Sequence, residues 1–184
     1  MHKLILASQS PRRQQLMEQA GYQFTVVVSD VDETNPEGMP GENVPEFLAQ
    51  KKALAIAERH PDATIIAADT VVLLDNEILG KPKDAADAHA MLHHLSGKMH
   101  RVVTGVCIWQ NNTVQSFSAT TEVYFRPLST DQIQYYILHY KPFDKAGSYA
   151  IQEWIGMIGI EKIKGDYYNV MGLPIGEVVK RLQQ

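Results

Sequence analysis

The sequence predicts an α/β protein: one domain, residues 1–184, with a mixed, twisted central sheet flanked by helices. Three observations predict it. Short buried-strand runs alternate with helix-period segments in the first half of the chain. Longer strand-like runs joined at tight polar pairs follow, so the sheet cannot be purely parallel. The length, 184 residues, allows one domain, or one with a small appendage.

Taken in order, residues 3–7 form a short apolar run, the mark of a buried strand. Ser10-Pro11 then opens a helix, because Ser is a good N-cap and Pro suits the first helical position. Leu16 and Ala20 share its inner face, and Gly21 ends it. Residues 24–28 are β-branched and strand-like. Residues 30–41 are acidic and broken by Asn35-Pro36 and Pro40-Gly41, a loop. Asn43 and Glu46 stand at capping-box spacing before a helix whose periodic residues are Phe47, Leu48, Leu54 and Ala55. Residues 64–68 predict a second buried strand, ending at Asp69, and residues 71–74 and 77–79 a hairpin about Asp75-Asn76.

Asp84 caps the next helix, with Asp87 in its first turn, the stripe Ala88, Met91, Leu92 and Leu95, and Gly97 as its end. Residues 101–109 and 113–125 are strands joined at Asn111-Asn112. Thr130 caps a helix carrying Ile133, Tyr136, Ile137 and Tyr140. A loop at 141–147, a strand at 157–163 and a closing helix at 174–182, with Val178, Val179 and Leu182 inward, complete the chain.

Composition narrows the function. Apolar residues make up 45% and charged residues 21%, as in an ordinary soluble globular protein. A net charge of −4 argues against sequence-independent nucleic-acid binding, which needs a basic face, but leaves room for a local cationic pocket. No apolar run approaches the ~20 residues of a membrane span. The first ten residues lack the long apolar stretch and cleavage site of a signal peptide, so they read as a folded first strand. The one cysteine, Cys107, lies in an apolar run; it reads as a buried structural thiol of a protein in the reducing cytosol.

Several strings could carry chemistry. Ser8-Gln9-Ser10-Pro11-Arg12-Arg13, at a strand-to-helix junction, offers hydroxyls, guanidinium groups and a helix N-terminus to a polyphosphate. Alone, so short a string reads as a capped helix with solvated arginines. Asp30, Asp32, Glu33, Glu37 and Glu42, followed by Lys51-Lys52, offer oxygen ligands to Mg²⁺ or Mn²⁺, or form a solvated acidic loop. Asp69 at the end of an apolar strand is costly to bury unpaired, which marks it as a catalytic or metal-linked carboxylate or as a turn residue. Gly80-Lys81-Pro82 puts a lysine on a rigid turn. The strings 144–152 and 165–174 each read alone as ordinary loops. His89 and His93 share a helix face at a spacing that can chelate zinc, but no H-E-x-x-H pattern or cysteine supports them. Neither a P-loop nor a dinucleotide fingerprint is present.

In joint order and spacing, these strings resemble the Maf family of nucleoside triphosphate pyrophosphatases. The strings that carry the resemblance run from Ser8-Gln9-Ser10-Pro11-Arg12-Arg13 through Val31-Asp32-Glu33, Leu48-Ala49 with Lys52-Ala53, Ala68-Asp69-Thr70-Val71 and Gly80-Lys81-Pro82. They continue with His100-x-Val102-x-Thr104-Gly105, Asp144-Lys145-Ala146-Gly147-Ser148-Tyr149-x-Ile151-Gln152 and Gly165-x-Tyr167-x-Asn169-Val170-x-Gly172-Leu173-Pro174. The resemblance implies cleavage between the α- and β-phosphates of a nucleotide, giving a monophosphate and pyrophosphate, with a divalent cation, Mg²⁺ or Mn²⁺, as cofactor. It implies a cleft similar to that of inosine triphosphate pyrophosphatases, and a role in removing non-standard nucleotides or, in some bacteria, in septum formation.

Carried over residue by residue, the resemblance implies Asp69, Lys52, Lys81 and Glu33 as the catalytic set, with Glu33 and Asp69 as metal ligands. Ser8, Ser10, Arg12, Arg13, Thr70, Lys145 and Gln152 would bind substrate. Arg12, Thr70 and Gln152 match the branch acting on dTTP and UTP, where the 7-methyl-GTP branch has Trp, Gln and Glu. Ala150 and Glu153 depart from the family, which often has Gly at both. The rival readings are hydrolysis of another nucleotide such as 7-methyl-GTP, and a nucleotide-binding division regulator with little turnover. Retention of Asp69 and Lys81 favours an enzyme, because a pure binder needs no base. The expected partner is the nucleotide, with neither nucleic acid nor membrane; pairing of two copies as a homodimer is left open.

Overall fold

The computed structural model describes residues 3–183. The chain runs β1 (Leu4–Ala7), α1 (Pro11–Gln19), β2 (Thr25–Val26), α2 (Val44–Ala57), β3 (Thr64–Leu74), β4 (Glu77–Leu79), α3 (Ala85–Leu95) and β5 (Met99–Gln110). It continues through β6 (Thr113–Phe125), α4 (Thr130–Tyr140), a 3-10 turn (Ala146–Ser148), α5 (Trp154–Gly159), β7 (Ile160–Lys164), α6 (Tyr167–Met171) and α7 (Ile175–Leu182). The strands form one seven-stranded mixed sheet, ordered β2-β1-β3-β5-β6-β7, with β4 paired to β3.

β3 organises the molecule. Successive side chains of a strand point to opposite faces, and here both faces are covered. Ile65, Ala67, Val71 and Leu73 pack toward α2, against Val44, Leu48, Ala49, Ala53 and Ile56. Ile66 and Ala68 pack with Leu16, Met17 and Val178 of α1 and α7, and Val72 and Leu74 with Leu92, Leu95 and Ile133 of α3 and α4. Hence β3 is apolar almost throughout, where a sheet with one wet face would alternate.

Pairing along β3 leaves a gap. β5 pairs along one edge from Ile65 to Leu73. On the other edge β1 pairs only as far as Ala67, and β4 begins only at Val72. Residues 68–71 therefore have no strand beside them on that edge. Because a sheet edge is open there, Asp69 and Thr70 can both reach the same opening although they face opposite sides. Gly105, the register partner of Asp69, holds α2 close over this point. A Cβ at 105 would lie 2.1 Å from the backbone nitrogen of Glu46.

Several elements differ from expectation. Asp69 does not end its strand, which runs on to Leu74 through the antiparallel partner β5. The strand expected at 24–28 contracts to Thr25–Val26, an exposed parallel partner for only Ile5 and Leu6. The run expected as a strand at 157–163 starts as helix α5 and becomes β7 at Ile160. A short apolar run cannot by itself distinguish the two states. Tyr167–Met171, expected as loop, is helix α6, capped by Asp166.

Ser129, not Thr130, caps α4, in a full capping box with Gln132. Asn43 makes no side-chain cap, because Glu46 is drawn instead to the hydroxyls of Ser116 and Ser118 on β6, at 2.6 and 2.8 Å. In α1 the inner residues are Leu16 and Met17, with Ala20 exposed. In α2 Phe47 and Leu54 are exposed, and the inner face is Val44, Leu48, Ala49, Lys52, Ala53 and Ile56. The Asp84 cap, the hairpin about Asp75-Asn76 and the Asn111-Asn112 turn stand where expected. Both Asn111 and Asn112 adopt positive φ, as a tight two-residue hairpin turn demands.

Candidate functional site

The open edge of β3 floors a cleft of about 850 Å³. The β1–α1 junction, the 28–35 loop, the Gly80-Lys81 turn, the 144–152 loop and the segment 170–172 wall it. Ser8, Ser10, Arg12, Arg13, Glu33, Lys52, Asp69, Thr70, Lys81, Lys145 and Gln152 all line it. They come from separate stretches of sequence, and the sheet gap is what brings them to one opening.

On the α2 face, Lys52 is buried, its side chain only 10% exposed. Its Nζ lies 2.8 Å from Asp69 Oδ1 and 3.1 Å from Glu33 Oε1. A buried ammonium must be paired to persist, and these carboxylates supply the pairing. The inward turn of a lysine on an otherwise apolar helix face is the local signal that Lys52 belongs to a site.

On the other face, Arg13 acts as a strut. Its Nε donates to Gly172 O at 2.7 Å, Nη2 to Thr70 Oγ1 at 2.9 Å and Nη1 to Ser8 Oγ at 3.2 Å. Burial opposes its charge, while Asp69 and Glu33 favour it. Thr70 Oγ1 lies 2.9 Å from Thr104 Oγ1, its cross-strand partner, and Thr104 donates to Asn169 O at 3.2 Å. Asn169 is fully buried and donates to Val102 O and Thr121 Oγ1 at 3.1 and 3.0 Å. That network anchors α6, and so Gly172, to the sheet.

At the mouth a second charge cluster forms. Asp144 accepts from Arg12 Nη1 at 3.2 Å and from Lys145 Nζ at 2.8 Å. Partial burial would raise the Asp144 carboxyl, but hydrogen bonds from Lys145 and Arg12 hold it below the ordinary carboxylate range. Lys145, buried, also approaches Glu153 Oε1 at 3.5 Å. Ser10 occupies the N-cap position of α1 without a side-chain cap, so its hydroxyl is not committed to its own helix. Lys81 and Gln152 are exposed on the rim.

Sequence reasoning missed four participants. They are Asp144, which pairs with Arg12; Thr104, which meets Thr70; Glu153, which approaches Lys145; and Tyr136, which donates to Glu153. Their contacts span up to 132 residues of sequence, and no local pattern announces them.

Among the described residues no group of three or more His, Cys, Asp or Glu side chains could hold a metal. His89 and His93 stack with ring centroids 6.5 Å apart, away from the cleft lining. Asp30, Glu33, Asp69 and Asp144 line the cleft, and of these Asp69 and Glu33 meet beside Lys52. Two carboxylates make an incomplete protein cage but suit a hard cation that takes its remaining ligands from water and phosphate. These residues therefore fit a hard divalent cation better than a structural zinc.

Comparison with known proteins gives the family and the fold. The profile of the family described as Maf-like protein matches residues 3–184. A dTTP/UTP pyrophosphatase of Phocaeicola vulgatus is 49% identical over 185 residues, covering 100% of this chain and 96% of that one. A dTTP/UTP pyrophosphatase of Cytophaga hutchinsonii is 48% identical over 181 residues, covering 98% of this chain and 83% of the relative. Among solved structures, a HAM1 protein from Coxiella burnetii matches with a TM-score of 0.58 at 15% identity, over 100% of this chain and 99% of that one. At that identity the likeness speaks to the fold alone.

Proposed function

From the premise that the chain belongs to the Maf-like protein family, we propose that it is a nucleoside triphosphate pyrophosphatase acting on dTTP and UTP. The observation that carries the reading is the convergence at the open edge of β3. There Asp69 and Glu33 grip Lys52 beside a wall of further cations, Arg12, Arg13, Lys81 and Lys145. In a chain of net charge −4, so local a cationic pocket suits a small polyanion.

The reaction forms a bond from water oxygen to the α-phosphorus and breaks the bond from that phosphorus to the α–β bridging oxygen. The products are the monophosphate and pyrophosphate. Asp69 takes the proton of the attacking water, as a positioned carboxylate can. Lys52 holds Asp69 in place and neutralises charge beside it. Ser8, Ser10 and Lys81 hold the phosphates, with Arg13 both fixing the wall and presenting its remaining N–H groups. When bound at Asp69 and Glu33, a divalent cation supplies charge neutralisation for the transferring phosphoryl group.

Base choice falls to Gln152, Arg12 and Thr70. An amide offers both donor and acceptor, matching the O4 and N3–H edge of uracil and thymine. Cytosine presents the reverse pattern at those atoms, so an amide held in one orientation leaves its donor and acceptor unpaired. The reaction belongs in the reducing cytoplasm, where the fully buried Cys107 stays a thiol. Burial, reinforced by Glu46, pushes that thiol up to about 12.

The test is pyrophosphate release from a panel of UTP, dTTP, CTP, ATP, GTP and 7-methyl-GTP. UTP and dTTP should lead in kcat/KM. Preference for 7-methyl-GTP, or tight binding of every nucleotide without turnover, would overturn the proposal.

A further inference from the structure

The loop that carries Gln152 is held from behind the cleft by its neighbour Glu153. We propose that Glu153 is a positioning residue for base selection, fixing the turn that presents Gln152 by tying it to Tyr136 of α4 and to Lys145. The inference rests on the pyrimidine-nucleotide reading above.

Three contacts argue for it. Tyr136 is fully buried; its hydroxyl donates to Glu153 Oε2 and accepts the backbone N–H of Ala150 at 3.1 Å. One phenol thus clamps both ends of the 150–153 turn. Burial and the Glu153 carboxylate push that phenol far above its ordinary pKa, so it remains a donor. Glu153 Oε1 also lies 3.5 Å from Lys145 Nζ, whose side chain is only 9% exposed and needs its carboxylate partners.

The turn itself has no slack. A Cβ at Gly156 would fall 1.7 Å from the carbonyl oxygen of Ile151, so the start of α5 packs directly on the residue before Gln152. Gln152 is exposed, and its aim is set by this backbone rather than by packing of its own side chain. Glu153 does not line the cleft and acts only through its neighbours. A Gly at 153 would leave Tyr136 without its acceptor and Lys145 with Asp144 alone.

The experiment pairs amide exchange with kinetics in the full chain, using Glu153→Ala, Glu153→Gln and Tyr136→Phe. Exchange reads the turn whether or not UTP is the substrate; the UTP-over-CTP ratio of kcat/KM reads selection. Losing a hydrogen bond to a charged group should speed exchange at residues 150–153 by about tenfold or more in Glu153→Ala and Tyr136→Phe. The UTP-over-CTP ratio should fall by a similar factor, with the double variant no worse than either single. Glu153→Gln keeps an acceptor for Tyr136 and should keep the slow exchange. Unchanged exchange, or a lower melting temperature with an unchanged ratio, overturns the proposal. Should the wild type release no pyrophosphate from UTP or dTTP, the pyrimidine reading fails, and the assignment to base selection falls with it. The exchange data then still decide whether Glu153 holds the turn.

Discussion

Replacing Asp69 with Asn keeps size and shape but removes the proton acceptor. A general base contributes ~10²–10⁴-fold in rate, so kcat should fall by that factor, about 2.7–5.5 kcal/mol of barrier. KM should stay near the wild-type value, because Arg12, Arg13, Lys81 and Lys145 remain in the cleft to hold the polyphosphate. The fold should survive. Lys52 loses the nearer of its carboxylates, at 2.8 Å, but keeps Glu33 at 3.1 Å, and the Asn oxygen still accepts a hydrogen bond. The loss is therefore well below the ~3–5 kcal/mol of a buried charge left alone. At about 1–2 kcal/mol, the melting temperature should drop by roughly 2–8 °C. Steady-state pyrophosphate release with UTP gives kcat and KM, and calorimetry gives the stability. A kcat within tenfold of wild type would refute the base assignment. A KM rising in step with the fall in kcat would make Asp69 a substrate anchor instead.

The remaining predictions concern the wall, the metal and acid stability. Arg13→Lys should not rescue Arg13→Ala, because one ammonium cannot replace a planar fork reaching Gly172, Thr70 and Ser8 together; both variants should raise KM, lower kcat and melt earlier. Chelation with EDTA should abolish turnover, magnesium or manganese should restore it, and His89→Ala with His93→Ala should leave it unchanged. A zinc requirement lost in that double variant would point to the histidines instead. His100 is 1% exposed, and burial lowers its pKa to about 3, so it folds neutral. Between about pH 3 and the unfolded value near 6.5 the unfolded chain binds a proton that the folded chain does not. Its contribution to stability is then complete above pH 6.5 and is lost at about 1.4 kcal/mol per unit as pH falls. Denaturant titrations across that range should show a slope shallower by about one proton in His100→Phe.

Much of this protein was legible before any coordinates. Helices and strands announced themselves by period and by caps, as at Asp84 and Asn111-Asn112, because those signals act within a few residues. Residue chemistry marks Asp69, because a carboxylate on an apolar strand is costly without a partner, and the Ser8 to Arg13 string, because it joins hydroxyls and guanidinium groups to a helix N-terminus; Lys52 enters only through the family resemblance. Element ends were less legible. Asp69 was expected to close its strand because its polarity breaks an apolar run, yet pairing with Gly105 carries the strand past it. Residues 157–159 were expected extended because a short apolar stretch suits either state.

What tertiary structure alone decided is where the ladder stops. That β1 leaves β3 at Ala67 and β4 joins only at Val72 depends on register between strands far apart in sequence. That gap puts Asp69 and Thr70, on opposite faces, into one cleft. The same holds for the partners: Arg12 meets Asp144 across 132 residues, and Glu153 meets Tyr136 from another element. Local sequence encodes burial and backbone preference, which are properties of neighbours along the chain. The site is made of contacts between distant segments, whose geometry exists only once the sheet has closed around its core.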